Sequence, residues 1–288
     1  MQHQKDQLVR HPTLGLGKVL TVDGNRVTVF FKDQKENPSR TIVADRLEIA
    51  EVQSDPWLDK LDVELALSGK LRTYLTHQEA IDKFLRKYPT GFTTDPSSPY
   101  WKDERGYKWD AHVAWNGLLD RATFKELLDG EKYREIVTRA IRVISPVNLV
   151  SRFEKAALYE GLATPAAAKA FAVSQYEFLY GKGPDEVRFT RLVEALHSLP
   201  QPRTATAKWT TATIVPFLAR PERYIFLKPE VTKEAAERRG FALNYKPFPN
   251  WLTYSCLLEL GSILMTELRD LKPRDMIDIQ SFIWVTAE

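Results

Sequence analysis

The sequence is poor in the features that mark secreted, disulfide-linked and membrane-spanning proteins. Cys256 is the single cysteine among 288 residues, which excludes an internal disulfide and a zinc site made of several cysteines. No apolar run reaches the ~20 residues that a helix needs to cross a bilayer. The opening residues, MQHQKDQLVR, contain no apolar core of a signal peptide. These absences predict a cytoplasmic protein with no membrane partner.

A large excess of charge of one sign is missing as well. Lysine and arginine number 41 against 38 aspartates and glutamates, for a formal net charge of +3. This balance is compatible with a polyanionic partner, but it is much weaker than the charge of a protein that coats DNA. The sequence contains no H-E-x-x-H and no G-x-S-x-G. No ligand cluster is visible, so we expect neither a metal nor an organic cofactor.

The first fifty residues have the pattern of short strands. In "HPTLGLGKVLTVDGNRVTVFF", residues 17–22 and 26–32 are rich in β-branched and aromatic side chains, and Asp23-Gly24-Asn25 separates them. An Asp-Gly pair between such runs favours a tight hairpin. Further runs follow at 40–44 and 47–50. Because a lone hairpin is not stable, the pattern predicts a small all-β barrel in residues 1–50.

The residues of this front module also resemble a known domain type. The pattern of His11, Pro12, Gly15 and Gly17, followed by the strand at 27–31, is similar to the small Tudor/SH3-like domain that bacterial transcription–repair proteins and superfamily-1 repair helicases carry as an appendage. Leu14 stands where that pattern usually has an aromatic residue. The resemblance implies a docking domain associated with DNA or with the transcription machinery. It leaves open whether the barrel binds DNA or a protein partner.

Residues 55–288 have capping residues and apolar residues at the spacing of helices, and this pattern predicts one large, mainly α domain. A capping side chain directly before proline is the preferred start of a helix, and Thr76 with Glu79 has the spacing of a capping box. Irregular stretches are expected at 89–108 and 220–249, where proline, glycine and aromatic residues mix. The candidate cap–proline pairs are Asp55-Pro56, Ser145-Pro146 and Thr164-Pro165, and later helices are expected over 147–160, 166–180, 185–199 and 251–271.

Two aspartates near the end of the chain are the strongest candidates for catalysis. Asp275 and Asp278 lie three residues apart among bulky apolar residues in "LKPRDMIDIQSFIWV", so a helical turn would place them on one face. Carboxylates in such surroundings either find partners or have raised pKa values, and a raised pKa suits a general acid or base. The structural alternative is that Arg274 or Lys272 neutralises one of them near the surface.

Other residues could complete a pocket for an extrahelical base, which needs aromatic walls, an amide for the base edge and a charged group for the chemistry. Trp109, His112 and Asn116 fall at i, i+3 and i+7 and could share one helix face, although core packing explains such a stripe equally well. Gly181-Lys182-Gly183 is a candidate phosphate-binding turn or a plain helix connector. The remaining candidates are Asn250, Trp251, Tyr254 and Gln280 for the base and Lys228, Arg223, Arg220 and Lys182 for the DNA backbone.

The helical part also resembles a family of enzymes. The strings "VSRFEKAALYEGL", "TATIVPFLARPERYIFLKP", "PNWLTY" and "PRDMIDIQSFIWV" are similar to bacterial phage-defence DNA glycosylases, which remove modified bases such as glucosylated hydroxymethylcytosine. The resemblance implies double-stranded, modified phage DNA as the substrate. Asp275 or Asp278 would then stabilise the charge developing on the sugar or activate water for attack at C1′. The rivals are a non-enzymatic adaptor that docks on a repair or transcription machine and a metal-dependent nuclease.

Overall fold

The computed structural model describes residues 3–34, 36–69, 76–200, 205–238 and 240–287. It confirms a mainly α chain with a small all-β module at its N-terminus. The chain divides into two compact units. The first consists of residues 1–89, 230–243 and 283–288, and the second of residues 90–229 and 244–282. The division into domains of 1–50 and 55–288 stays a prediction.

The β module is a five-stranded antiparallel sheet with the strand order β4-β3-β2-β1-β5. A short 3-10 turn, Ala44–Arg46, separates the last two strands. The register of β2 against β3 shifts between Val19 and Thr21, and such an irregularity bends a strand and increases its twist. The strands are β1 (Leu8–His11), β2 (Gly15–Asp23), β3 (Arg26–Phe31), β4 (Ser39–Val43) and β5 (Glu48–Ile49).

Two glycines of the module are required by its geometry. Gly24 lies in the predicted hairpin turn with φ of +56°, a left-handed conformation that glycine adopts without steric cost. Gly17 has a different reason, because a Cβ at this position would lie 2.6 Å from Val29 Cγ1 and 2.7 Å from the carbonyl oxygen of Phe30. The glycine therefore lets β2 approach β3 closely.

The β module has apolar side chains on both faces of its sheet. One cluster includes Val27, Val29 and Phe31, which alternate along β3 and pack among strand residues. Phe30 points to the other face and belongs to a cluster that also contains Leu58 and other residues beyond position 50. The sheet is therefore buried on both sides, and its outer cover comes from the short helices that follow it. The helices of this unit are α1 (Pro56–Asp59), α2 (Val63–Leu67), α3 (His77–Lys87) and most of α11 (Pro229–Glu237).

The second unit is a bundle of helices around α10. Every residue of α10 is buried, as expected of a helix that is apolar all round. It packs against α4, α6, α8 and α9. The helices of this unit are α4 (Gly106–Leu119), α5 (Arg121–Asp129), α6 (Tyr133–Ile144), α7 (Arg152–Gly161), α8 (Pro165–Tyr180), α9 (Asp185–His197), α10 (Trp209–Ala219), α12 (Trp251–Glu267) and most of α13 (Met276–Thr286).

Most of the predicted helix starts are confirmed. Asp55 and Thr164 cap α1 and α8 with proline next in the chain, and Thr76 with Glu79 forms the predicted capping box of α3. Ser145-Pro146 is wrong as a helix start. Ser145 follows the last residue of α6, and its hydroxyl donates back to the carbonyl of Ile141. The next helix begins only after Ser151, which caps α7 through a second capping box.

The two irregular stretches were predicted too long. Helical structure begins at Pro99, because Ser98 Oγ accepts the N–H of Trp101 at 3.2 Å and proline is favoured in the first turn. A π-helical turn, Trp101–Arg105, then leads directly into α4. Within 220–249, α11 begins at Pro229, and proline is favoured in the first turn of a helix. No helix in the described part of the chain is long and apolar enough to cross a membrane.

Candidate functional site

The two predicted catalytic aspartates lie side by side in a buried ion cluster of the second unit. Arg105 binds both of them: its guanidinium nitrogens lie 2.7 Å from Asp275 Oδ2 and 2.8 Å from Asp278 Oδ1. Arg274 Nε donates to Asp278 Oδ2 at 2.9 Å. The hydroxyl of Tyr100 donates to Asp278 Oδ1. Asp278 is fully buried and Asp275 is 7% exposed, so both carboxylates are desolvated, and Arg274 reaches Asp278 from a partly exposed position.

Local structure explains how these side chains meet. The π-helical turn supplies Arg105 at its last position, and the extra residue in such a turn rotates the following side chains relative to a regular helix. Asp275 lies at the start of α13, where its carboxylate accepts the N–H of Ile277 at 2.9 Å. Asp278 follows one turn later and accepts the backbone N–H of Arg274 at 2.9 Å. The predicted three-residue spacing does bring the two carboxylates together.

A buried lysine extends the cluster along α4. Lys108 Nζ donates to Glu104 Oε2 at 3.1 Å and to Ser281 Oγ at 2.8 Å. Both Lys108 and Glu104 are almost completely buried, at 1% and 5% exposure. Neither these residues nor Arg105 was predicted from the sequence. The irregular stretch predicted over 89–108 hides the i, i+4 spacing of Glu104 and Lys108, and lysine and glutamate are rarely buried unless they are paired.

Electrostatic interactions within the cluster shift the pKa values of several of its side chains. Burial raises the pKa of Asp278, but hydrogen bonds from Arg274, the charge of Arg105 and the Tyr100 hydroxyl together bring that pKa below its usual value. Burial, the charge of Asp278 and its hydrogen bond raise the pKa of Tyr100 well above its usual value. Burial lowers the pKa of Lys108 to about 8, against the opposing effect of Glu104. Asp278 is therefore an ionised, fully engaged carboxylate at neutral pH.

These contacts bear on the hypothesis that Asp275 or Asp278 is catalytic. The sequence offered two possibilities, partners or raised pKa values, and for Asp278 the structure has partners with a lowered pKa. The expected neutralising residue, Arg274, is one charged partner of Asp278 and is partly exposed, whereas Arg105, the second charged partner, is buried. Lys272 is exposed and takes the left-handed conformation after a 3-10 turn.

The residues predicted to stack on a base lie in an aromatic cluster at the start of α12. Tyr254 is fully buried, its ring stacks on Phe189 at 4.6 Å, and its hydroxyl donates to the carbonyl of Ile225. Trp251 contacts the same Phe189 ring at 5.9 Å. Asn250 caps α12, accepting the N–H of Thr253 and donating to the carbonyl of Phe248. These contacts give all three residues a structural role, and Tyr254 has no exposed face.

The second predicted group does share a helix face. On α4 the ring of Trp109 lies 5.1 Å from that of His112, and Asn116 Nδ2 lies 3.1 Å from His112 Nε2. His112 Nδ1 is held by the carbonyl of Leu218. Trp109 also packs under the Arg105 guanidinium at 4.9 Å, which joins this face to the ion cluster. Gln280 is buried on α13, and its Oε1 has no hydrogen-bond partner in the described residues.

The cations predicted to contact DNA are mostly occupied by neighbouring groups. Arg223 pairs with Asp185 at 2.6 Å. Arg220 pairs with Glu222 at 2.8 Å and donates to the carbonyl of Leu179. Lys228 is half-buried, and Lys182 is exposed in the connection between α8 and α9. Arg223 and Lys182 are the exposed members of this set, and Arg223 is already paired with Asp185.

A second candidate site lies in the β module, and the sequence analysis did not single it out. It is a groove of about 450 Å³ lined by the four consecutive residues Arg40–Val43 of β4 together with His11, Leu14, Arg26 and Arg46. We call it the arginine groove. Arg26 and Arg46 are exposed, and neither forms an ion pair with a carboxylate in the described ranges. The sequence showed these arginines but not their convergence, which depends on strand pairing between distant residues.

Metal binding was not expected from the sequence, and the described residues contain no group of three or more His, Cys, Asp or Glu side chains that could hold a metal ion. Comparison of the chain with protein-family models, with curated proteins and with solved structures finds no match. The two sites are therefore interpreted from their own chemistry.

Proposed function

We propose that this protein is a DNA-associated adaptor that binds nucleic acid through its β module. One observation carries the proposal: the exposed arginines of the arginine groove have no carboxylate partner among the described residues. Uncompensated cations on one surface are the electrostatic footprint of a polyanion-binding protein. The sequence resemblance of the same module to docking domains of repair proteins supports the same class of function.

The contacts of Asp278 argue against this carboxylate as the catalytic group. Asp278 accepts hydrogen bonds from Arg105, Arg274 and Tyr100, so both of its oxygens are engaged. A carboxylate that activates water or stabilises a sugar cation must present an oxygen to the reacting atom. Because the protein's own donors occupy both oxygens of Asp278, the cluster is typical of a structural network in which each buried charge has a partner.

The experiment for this proposal is binding of the full chain to a labelled 20-base-pair duplex of arbitrary sequence, at 50 and 200 mM salt. We expect complex formation at the lower salt and a marked loss of affinity at the higher salt, since phosphate contacts release counterions. Absence of binding at 50 mM salt, with the protein shown to be folded by circular dichroism, would overturn the proposal.

Excision of a modified base is the second candidate, and the ion cluster is the observation that favours it. Desolvated ionisable groups with shifted pKa values, such as Asp278 and Lys108, concentrate at functional sites, and π-helical turns are frequent there. The test is incubation of the wild-type chain with glucosylated and unmodified phage DNA in EDTA, followed by detection of abasic sites. Abasic sites in glucosylated DNA alone would support a glycosylase, and none in either DNA would exclude excision of glucosylated bases. Cleavage that requires magnesium would point to the nuclease instead.

A further inference from the structure

The arginine groove follows an unpaired sheet edge. Within the described residues, strand β4 is the last strand of the sheet and pairs with β3 alone. Four consecutive residues of β4, Arg40–Val43, line the groove. The edge of β4 that faces away from β3 therefore presents backbone N–H groups that have no strand partner in the described part of the chain, and exposed N–H groups are hydrogen-bond donors available to a ligand.

Regular structure fixes the positions of the cations around this edge. Arg26 begins β3 directly opposite Val43 of β4, and Arg46 ends the 3-10 turn that follows β4. The guanidinium of Arg40 is held by the carbonyl oxygens of Asn37 at 3.1 Å and Glu36 at 3.2 Å. Cations placed on strands and tight turns lose less conformational freedom on binding than cations on loops.

His11 adds a donor of defined tautomer. Its Nδ1 accepts the backbone N–H of Thr13 at 3.3 Å, and its ring packs edge-to-face on Phe31 at 6.1 Å. A neutral imidazole that accepts at Nδ1 carries its proton on Nε2. The histidine therefore contributes an N–H donor to the lining of the groove from the end of β1.

The apolar residues of the groove have little surface to offer a ligand. Leu14 and Ile42 pack against the core cluster of the β module, which leaves Val43 as the exposed apolar side chain of the lining. A peptide that adds a strand to a sheet edge needs pockets for its alternate side chains. A phosphodiester backbone needs cations and N–H donors. The lining fits the second requirement better.

We propose that the arginine groove binds the sugar–phosphate backbone of DNA, with phosphate oxygens accepting from Arg26, Arg46 and His11 Nε2. This assignment rests on the proposed function, because it names the site and the mode of that binding. Guanidinium groups match phosphate bidentately, and contacts limited to phosphates carry no direct base readout. Binding through this groove is independent of base sequence and depends strongly on salt.

The test compares duplex affinity of the full chain with that of Arg26→Gln, Arg46→Gln and the double variant, across 50–200 mM salt. Arg10→Gln is the matched control, because Arg10 is an exposed arginine of the same module outside the groove. Each groove substitution is expected to weaken binding about tenfold and to reduce the slope of log affinity against log salt by about 1. The double variant should combine both losses, and duplexes of different sequence should respond alike.

The outcomes separate this inference from the function on which it rests. If the wild-type chain binds DNA and the groove variants behave like Arg10→Gln, the groove assignment is wrong and the DNA-binding function stands. If the wild-type chain binds no DNA, the function itself fails. A third probe, a labelled glutamate-rich peptide, decides between ligands: binding that Arg26→Gln and Arg46→Gln abolish, with DNA affinity unchanged, would assign the groove to a protein partner instead. Unchanged melting temperatures confirm that the exposed substitutions leave the fold intact.

Discussion

At the scale of single residues, Arg105 determines the character of the ion cluster. Its guanidinium bridges Asp275 and Asp278, which without it would be two carboxylates of like charge in a desolvated site. Removal of one partner from a buried pair typically costs about 3–5 kcal/mol, because a charge is left without compensation. The spacing of the aspartates is visible in the sequence. Arg105 lies 170 residues before Asp275, so no local sequence pattern could pair them.

Lys108 leads to a prediction on the pH dependence of stability. Its pKa is about 8 in the folded chain against an ordinary value of 10.5, so the unfolded state binds more protons between these values. The free energy of unfolding should therefore rise through this group as pH increases from 8 to 10.5, by up to about 3 kcal/mol. Urea unfolding measured across this range checks it.

The control for the lysine removes its charge and that of its partner together. In Lys108→Met/Glu104→Gln no buried charge is left unpaired, and the rise with pH should disappear. Lys102→Met changes an exposed lysine of the same region and should follow the wild-type curve. Parallel curves for the wild type and the double variant would show that Lys108 does not titrate in this window.

At the scale of elements, the π-helical turn Trp101–Arg105 decides the geometry of the ion cluster. The sequence predicted an irregular stretch over 89–108, because local preferences do not reveal a turn that is one residue wider than an α-helix. What permits the turn is Gly106, where a Cβ would lie 2.9 Å from Trp101 Cδ1 and from its carbonyl oxygen. The indole occupies the space that a side chain would need.

We therefore expect Gly106→Ala to destabilise the fold although alanine is the better helix former. Overpacking of this kind costs about 1–3 kcal/mol. Gly117→Ala is the matched control on the same helix α4, since a Cβ there meets no atom within 4 Å, and it should stabilise the chain by about 0.5–1 kcal/mol. Thermal unfolding of both variants checks the contrast, and equal effects of the same sign would contradict it.

At the scale of the whole molecule, the first compact unit gathers three separate stretches of the chain. Leu61 pairs with Phe241 in an isolated bridge, and Arg238 Nη1 donates to Thr286 Oγ1 at 3.1 Å. Nothing in the periodicity of 230–243 or 283–288 shows that these segments join residues 1–89. The sequence placed a boundary near residue 50 from the change in pattern alone, from strands to helices.

This organisation predicts that a fragment of residues 1–50 does not fold independently. Its Leu8, Leu20 and Phe30 pack with Leu58 and Leu61, and Lys32 pairs with Asp55, so cutting at 50 exposes an apolar face and breaks an ion pair. An amide proton NMR spectrum of the fragment should show the narrow dispersion of an unfolded chain. A well-dispersed spectrum would instead support an autonomous domain ending near residue 50.

The sequence by itself determined four of the five strands of the β module, the hairpin at Gly24, most helix starts and the adjacency of Asp275 and Asp278. These features depend on turn chemistry, capping and spacing within a few residues. Only the tertiary structure decided that Arg105 and Tyr100 occupy those carboxylates, that Asn250 and Tyr254 serve α12 and its core, and that four basic residues surround the β4 edge. Each of these depends on contacts between distant parts of the chain, where packing and desolvation, not local preference, set the chemistry of a side chain.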